Sequence, residues 1–294
     1  MRPFRQSRKR QSSPNPKPIP RMMIPKALFF WTTLILAALA IALPAVGLDL
    51  KGAFVQGGLV TGKVQPSTRL TLERKRVPIS PTGDFILGFG RDVAPKLSLQ
   101  EITPSGETKS HSLTIRQRTY QIQRIDGLPR RKVTPDPEDL KRIRKESRLV
   151  AAARQKSVTA PSFGTGFVWP AEGRISGVYG SQRILNGKPR RPHFGVDVAA
   201  PTGSPVVAMA DGTVTLTHPG MFFNGKIIIL DHGLDLSSLY IHLSDIAVRD
   251  GQKVTKGQLI GKIGKTGRAT GPHLHWGVRW NGVELDPALL VPPR

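Results

Sequence analysis

Three short motifs govern how this chain can fold: HFGVD at 193–197, YIHL at 240–243 and GPHLHWGV at 271–278. They hold His193, Asp197, His242, His273 and His275, and four of the seven histidines fall within them. The five side chains amount to three ligands for a tetrahedral metal with two imidazoles to spare. A hydrolytic zinc centre needs that inventory: three protein ligands, an open fourth position for water, and proton-handling groups beside it. The fold must therefore bring side chains spread over 83 residues, from His193 to His275, around one divalent ion.

The spacings add geometry. His273 and His275 are two apart in His273-Leu-His-Trp-Gly-Val-Arg-Trp280, which alternates as a strand does. Residues i and i+2 of a strand share a face, so both imidazoles can converge while Leu274 and Trp276 face the core. His193 and Asp197 are four apart, but Gly195, Val196 and Val198 disfavour a helix, and a loop running into a strand is expected. The helical HExxH signature is absent. With no cysteine in the chain, disulfides and thiolate zinc sites are excluded, leaving imidazole and carboxylate as ligands.

The organisation is read as mainly β. Residues 48–125 hold short strand-like runs, among them RLTLE, DFILGF and KLSLQEI, separated by the turn clusters PTGD and PSGE. They predict a small N-terminal β-sandwich. Residues 126–166 predict a basic helical linker and a hinge. Asp136 is its N-cap, Pro137 its first residue, and Glu138 and Asp139 complement the helix dipole. Glu138 and Arg142 form a candidate i,i+4 pair, the apolar stripe (Leu140, Ile143, Val150) is sparse, and SVTAPSFGTG reads as the hinge. Residues 167–294 predict an antiparallel β domain with the strands TVTLT, KIIILDH, LSSLYIH and HLHWGVRW.

The three motifs resemble the signatures of the LytM/lysostaphin-type zinc metalloendopeptidases, which cut peptidoglycan. PTGSPVVAMADGTV, NGKIIILDHG and VRDGQKVTKGQLIGKIGKTG also resemble that family's glycine-punctuated β core, so the match runs from about Val168 to Pro287. The resemblance implies Zn2+ held by His193, Asp197 and His275, with His242 and His273 as the catalytic pair. It implies metal-assisted hydrolysis of an amide, the two imidazoles dividing proton abstraction from oxyanion stabilisation or leaving-group protonation. One departure is Gly277, where the family pattern has an acidic residue. The implied substrate is the peptide cross-link of peptidoglycan, with a D-alanyl–diaminopimelate bond preferred over a glycine-rich bridge.

The competing function is a non-catalytic, zinc-binding wall protein that binds peptidoglycan and activates a partner hydrolase. A lipoyl- or biotinyl-type carrier is a weaker competitor, because no modifiable lysine sits in the required hairpin motif. The N-terminal module is expected to position or regulate the catalytic domain, with substrate binding as the alternative, and the linker could lie across the groove and restrain it.

Residues 1–26 form a basic tail with eight arginines or lysines and no acids, and Ala27–Val46 is an uncharged, mostly apolar run. Residues 27–47 read as a cleaved export signal or a retained membrane anchor, with Met22 and Met23 as alternative starts. Export to the periplasm or the outer face of the cytoplasmic membrane is expected. The net charge of +24 leaves 36 bases against 20 acids after residue 47, concentrated in 116–156. Export and the lack of a nucleic-acid motif argue against nucleic acid and favour an anionic wall or membrane surface, with a regulatory protein partner left open.

The remaining candidates have plainer readings. His232 is expected to be a hydrogen-bonded structural residue, and His218 and His111 ordinary surface residues. Trp276 and Trp280 fill the core, Asn224 and Thr270 are candidate groove residues, and Arg183 either steers a substrate carboxylate or is solvated.

Overall fold

The computed structural model describes residues 48–294; the basic tail 1–26 and the apolar segment 27–47 lie outside the described residues. Among those described, no helix is long and apolar enough to cross a membrane.

Seven strands build the N-terminal module: β1 (Leu50–Gly52), β2 (Leu59–Lys63), β3 (Arg69–Leu72), β4 (Lys75–Val77), β5 (Asp84–Gly88), β6 (Lys96–Ile102) and β7 (Thr108–Thr114). They form two antiparallel sheets, β1-β2-β5 and β4-β3-β6-β7. The expected alternation in RLTL is present: Leu70 and Leu72 are buried between the more exposed Arg69 and Thr71. The module shares one hydrophobic core with the rest of the chain. The two approach closely at Gly88, where a Cβ would stand 2.9 Å from both Leu285 and Trp280 side-chain atoms. A partly buried ion pair, Arg118 to Asp286 at 2.7 Å, fastens the same interface.

The chain then leaves the module. The strand β8 (Ile122–Ile125), counted by sequence with the N-terminal sandwich, pairs instead in parallel with β10 (Gln182–Leu185) of the following domain. It leads into α1 (Arg130–Val133) and α2 (Pro137–Arg154). Asp136 caps α2 as expected, accepting from the Asp139 N–H at 2.8 Å. The ion pairs differ from the i,i+4 expectation. Glu138 takes Lys141 at 2.8 Å, because Arg142 is drawn to Glu146 at 2.6 Å and to the Gly220 carbonyl at 2.7 Å.

The C-terminal domain continues with β9 (Arg174–Gly177), β11 (Lys188–Pro189), β12 (Val196–Ala199), β13 (Pro205–Val207), β14 (Gly212–Met221), β15 (Gly225–Asp231) and β16 (Leu236–Leu243). β17 (Asp245–Ile246), β18 (Lys253–Val254), β19 (Leu259–Lys262), β20 (Leu274–Trp280) and β21 (Val283–Leu285) complete it. Its main sheet runs β18-β14-β15-β16-β20-β12-β9, with β21 added to β20. Strand β15 is apolar at every position from Ile227 to Leu230, because both of its faces are covered. Ile228 and Leu230 belong to the main core. Ile227 and Ile229 pack with Leu239, Ile241 and Ala153 of α2 on the other side. Trp276 and Trp280 fill the main core as expected.

Candidate metal centre and its groove

Register brings the site together. In neighbouring strands Ile241 of β16 stands opposite His275 of β20, His275 opposite Asp197 of β12, and Asp197 opposite Gly177 of β9. One row across the sheet therefore places two of the three candidate ligands side by side, on the face that α2 covers. Gly195 permits the close approach: a Cβ there would lie 2.5 Å from the Trp276 carbonyl and 2.7 Å from the His275 ring. His193 lies in the loop before β12, its N–H donating to the Ser181 carbonyl at 2.8 Å.

The candidate ligand atoms of His193, Asp197 and His275 all lie within 4.8 Å of one another. His193 Nε2 is 3.0 Å from Asp197 Oδ1 and 2.8 Å from His275 Nδ1, which is 2.8 Å from the same Oδ1. His193 Nδ1 donates to the Val178 carbonyl at 3.0 Å, so Nε2 presents a lone pair to the centre. A single proton could serve only some of these contacts, whereas one cation suits all three. The donor set fits a divalent metal that accepts nitrogen and oxygen ligands.

Electrostatics agree. Burial is the largest influence on Asp197 and opposes its ionisation, but its contacts with His193 and His275 hold the carboxyl well below the usual range. Burial pushes His275 down to about 4, against the pull of Asp197, leaving its ring neutral and able to ligate. Arg183 donates to Asp197 Oδ2, leaving Oδ1 for the centre. It also reaches the Gln123 side chain at 3.2 Å, so it is neither free to steer a substrate carboxylate nor merely solvated.

His242 and His273 flank this cluster. The His242 ring centroid is 4.8 Å from that of His273 and 6.4 Å from that of His275. Strict alternation along β16 would send His242 to the Tyr240 side, into the core. A bulge opposite Lys226–Ile228 and a left-handed φ of 67° at His242 turn it to the site instead. Its Nδ1 donates to the Thr266 carbonyl at 2.8 Å, and His273 Nδ1 to the Gly271 carbonyl at 2.9 Å. In a neutral ring held this way Nε2 is the acceptor. Burial, then the neighbouring His273 and His275, lowers His242 to about 3. These orienting carbonyls could not be found from sequence, since any residue type supplies one.

The other histidines stand apart. His232 is fully buried, bonded to the Asp211 carbonyl and Ser238 Oγ, each at 2.7 Å, and burial lowers it to about 4. His111 pairs with Glu101 at 2.8 Å, and His218 accepts from the Gly220 N–H at 3.1 Å. Asn224 lines the groove beside His242 and supplies the carbonyl that receives the His242 N–H at 2.9 Å. Thr270 lines an adjoining pocket with Asp197 and His273. Gly277 lies on the groove wall, where an acidic side chain would have stood.

The linker crosses this groove. Ile143, Ser147 and Arg154 of α2 line it opposite His193, His242 and His275. The strap is tied by polar contacts, Glu146 accepting the Phe222 N–H at 2.8 Å and Lys132 Nζ donating to the Phe222 carbonyl at 2.6 Å. Its apolar contacts lie at two places: Ala153, buried, and Val150, half-buried, on the outer face of the sheet, and Leu128 and Val133, buried with Leu185.

A β-sheet scaffold with a His–Asp–His cluster and two oriented imidazoles in a groove defines a metallopeptidase-type centre. Residues 191–287 match Peptidase family M23. A solved structure of a peptidase M23 from Pseudomonas aeruginosa is 31% identical, with a TM-score of 0.62, covering 80% of this chain and 94% of that one. The chain belongs to peptidase family M23. It is also similar to the peptidoglycan DD-endopeptidase ShyA of Vibrio cholerae, 48% identical over 87 residues, which are 29% of this chain and 20% of that protein. The lipoprotein NlpD/LppB homolog of Pseudomonas aeruginosa is 35% identical over 137 residues, 47% of this chain and 43% of that one. The chain thus spans about a fifth of the length of the first of these curated relatives and less than half of the second.

Proposed function

We propose that this chain is an exported, zinc-dependent endopeptidase that hydrolyses peptide cross-links of peptidoglycan, with the D-alanyl–diaminopimelate bond as its preferred target. The observation that carries this reading is the convergence of His193, Asp197 and His275 donor atoms at 2.8–3.0 Å beside two imidazoles each held through Nδ1 by a main-chain carbonyl. Zinc, held by those three residues, would supply the Lewis acid that polarises the amide and activates water. His242 and His273, fixed through Nδ1, offer Nε2 to take a proton from water and return it to the leaving amine. His242 is itself buried, and Ile143, Ser147 and Arg154 of α2 line the groove beside it. Similarity to DD-endopeptidases supports the substrate. The basic tail and apolar run of residues 1–47 support export.

The test is metal analysis of the purified chain together with release of muropeptides from wall sacculi, the products identified by mass spectrometry. Stoichiometric zinc with cleaved cross-links supports the proposal. The strap across the groove favours one second reading, a wall-binding activator of a partner hydrolase. Bound zinc with no cleavage at any pH or with any partner would select it.

A further inference from the structure

The groove is lined by five guanidiniums, those of Arg154, Arg183, Arg190, Arg191 and Arg268, and by one carboxylate, Glu284. Three of these residues have evident partners: Arg154 faces Glu284, Arg183 is committed to Asp197, and Arg191 lies over the Phe194 ring. Arg190 and Arg268 differ. Neither has a carboxylate partner among the described residues, and both are partly buried beside the centre. Arg190 stands three residues before His193, and Arg268 two after Thr266, whose carbonyl orients His242.

Their positions are fixed. The Arg268 guanidinium lies 4.3 Å from the Phe223 ring centroid, and its main-chain N–H donates to the Phe223 carbonyl at 2.8 Å. Arg190 Nη1 donates to the Pro189 carbonyl at 3.1 Å. Their remaining donors meet only strap carbonyls: Arg190 Nη2 donates to Val133 O at 2.8 Å and Arg268 Nη1 to Lys132 O at 3.5 Å. Those oxygens carry in part the charge that a carboxylate carries in full. Half-buried guanidiniums without an anion are costly, and an arriving carboxylate offsets that cost through forked, charge-assisted bonds.

We propose that Arg190 and Arg268 form a carboxylate-binding subsite for an acidic peptide arm of the substrate, and that the Lys132 and Val133 carbonyls occupy it while the strap is closed. The inference rests on the peptide-hydrolase reading above. The two arginines are specificity-determining residues, and the strap is an internal competitor for their donors. An acidic peptide would both fill the subsite and help displace the strap.

The test uses the zinc-loaded full-length chain and two cross-linked muropeptides, identical except that one has its free carboxylates amidated. Cleavage is followed as kcat/KM, and binding by fluorescence anisotropy in a His242→Ala background. Both are repeated with Glu146→Ala added to loosen the strap. The carboxylate peptide is expected to be preferred by about tenfold or more, a factor typical of charged hydrogen bonds. Arg190→Gln and Arg268→Gln should each erode that preference, the double variant should abolish it, and Arg268→Lys should retain part of it. If the arginines only held the strap, their loss would raise turnover of both peptides equally with the ratio unchanged, overturning the proposal. Cleavage without preference in native and Glu146→Ala chains would also overturn it while leaving the hydrolase reading intact. Selective binding lost in the double variant, but without any cleavage, would support the subsite and reject the hydrolase reading. The comparison of two peptides on the unsubstituted arginines stands even if a variant misfolds.

Discussion

The rings of His242 and His273 lie 4.8 Å apart, each with Nδ1 donating to a main-chain carbonyl, Thr266 and Gly271 respectively. In the proposed function this arrangement separates proton handling from metal holding. His193→Ala or His275→Ala is expected to lose both zinc and turnover. His242→Ala should keep zinc and lose about 10²- to 10⁴-fold in turnover, the range for a general acid or base. Zinc content by atomic absorption, measured beside hydrolysis rates, checks the split, and full hydrolysis by His242→Ala would refute the role of that ring.

The left-handed backbone at His242 makes a separate prediction about stability. A non-glycine residue there costs roughly 1–2 kcal/mol that glycine avoids. His242→Gly should therefore be more stable than His242→Ala by about 1 kcal/mol, although both lose most of the turnover. Urea denaturation of the two variants measures the difference, and equal midpoints would count against a strained turn.

His232 predicts how stability depends on pH. It is buried and held neutral, its pKa lowered from the ordinary 6.5 to about 4. The unfolded chain therefore takes up a proton that the folded chain refuses. The contribution of this residue is complete above pH 6.5 and is lost as pH falls from there towards 4. The full loss is about 3 kcal/mol. Denaturation of His232→Gln at pH 7.5 and pH 4.5 should show a shallower fall than the unsubstituted chain, and parallel slopes would sink the assignment.

Glu146 accepts the Phe222 N–H at 2.8 Å and so helps tie the strap to the sheet. Glu146→Ala leaves that buried donor unsatisfied, at a cost of about 1–3 kcal/mol, which shifts the closed–open balance by roughly 5- to 150-fold. Faster hydrogen exchange across residues 137–154 and a rise in hydrolysis are expected. Faster exchange with unchanged hydrolysis would mean that the strap does not restrain the site.

The candidate donor residues and the general β architecture were legible in the sequence. HFGVD and HLH contain the residue types, and the two-residue spacing of His273 and His275 lets a strand turn both rings to one face, while the choice of His193, Asp197 and His275 as the ligand set came from the family resemblance. The alternation in RLTL and the Asp136–Pro137 cap were equally local, because backbone geometry and near-neighbour bonds decide them. Tertiary structure decided the rest. Cross-strand register put Asp197 opposite His275, and a bulge turned His242 out of the core. The continuous apolar run Ile227–Leu230 hinted that something covers the outer face of the sheet, but could not say that α2 does so. Nor could the chain alone reveal that Arg190 and Arg268 meet the carbonyls of Val133 and Lys132. Main-chain oxygens have no residue identity, and contacts between distant segments form only when the whole fold closes.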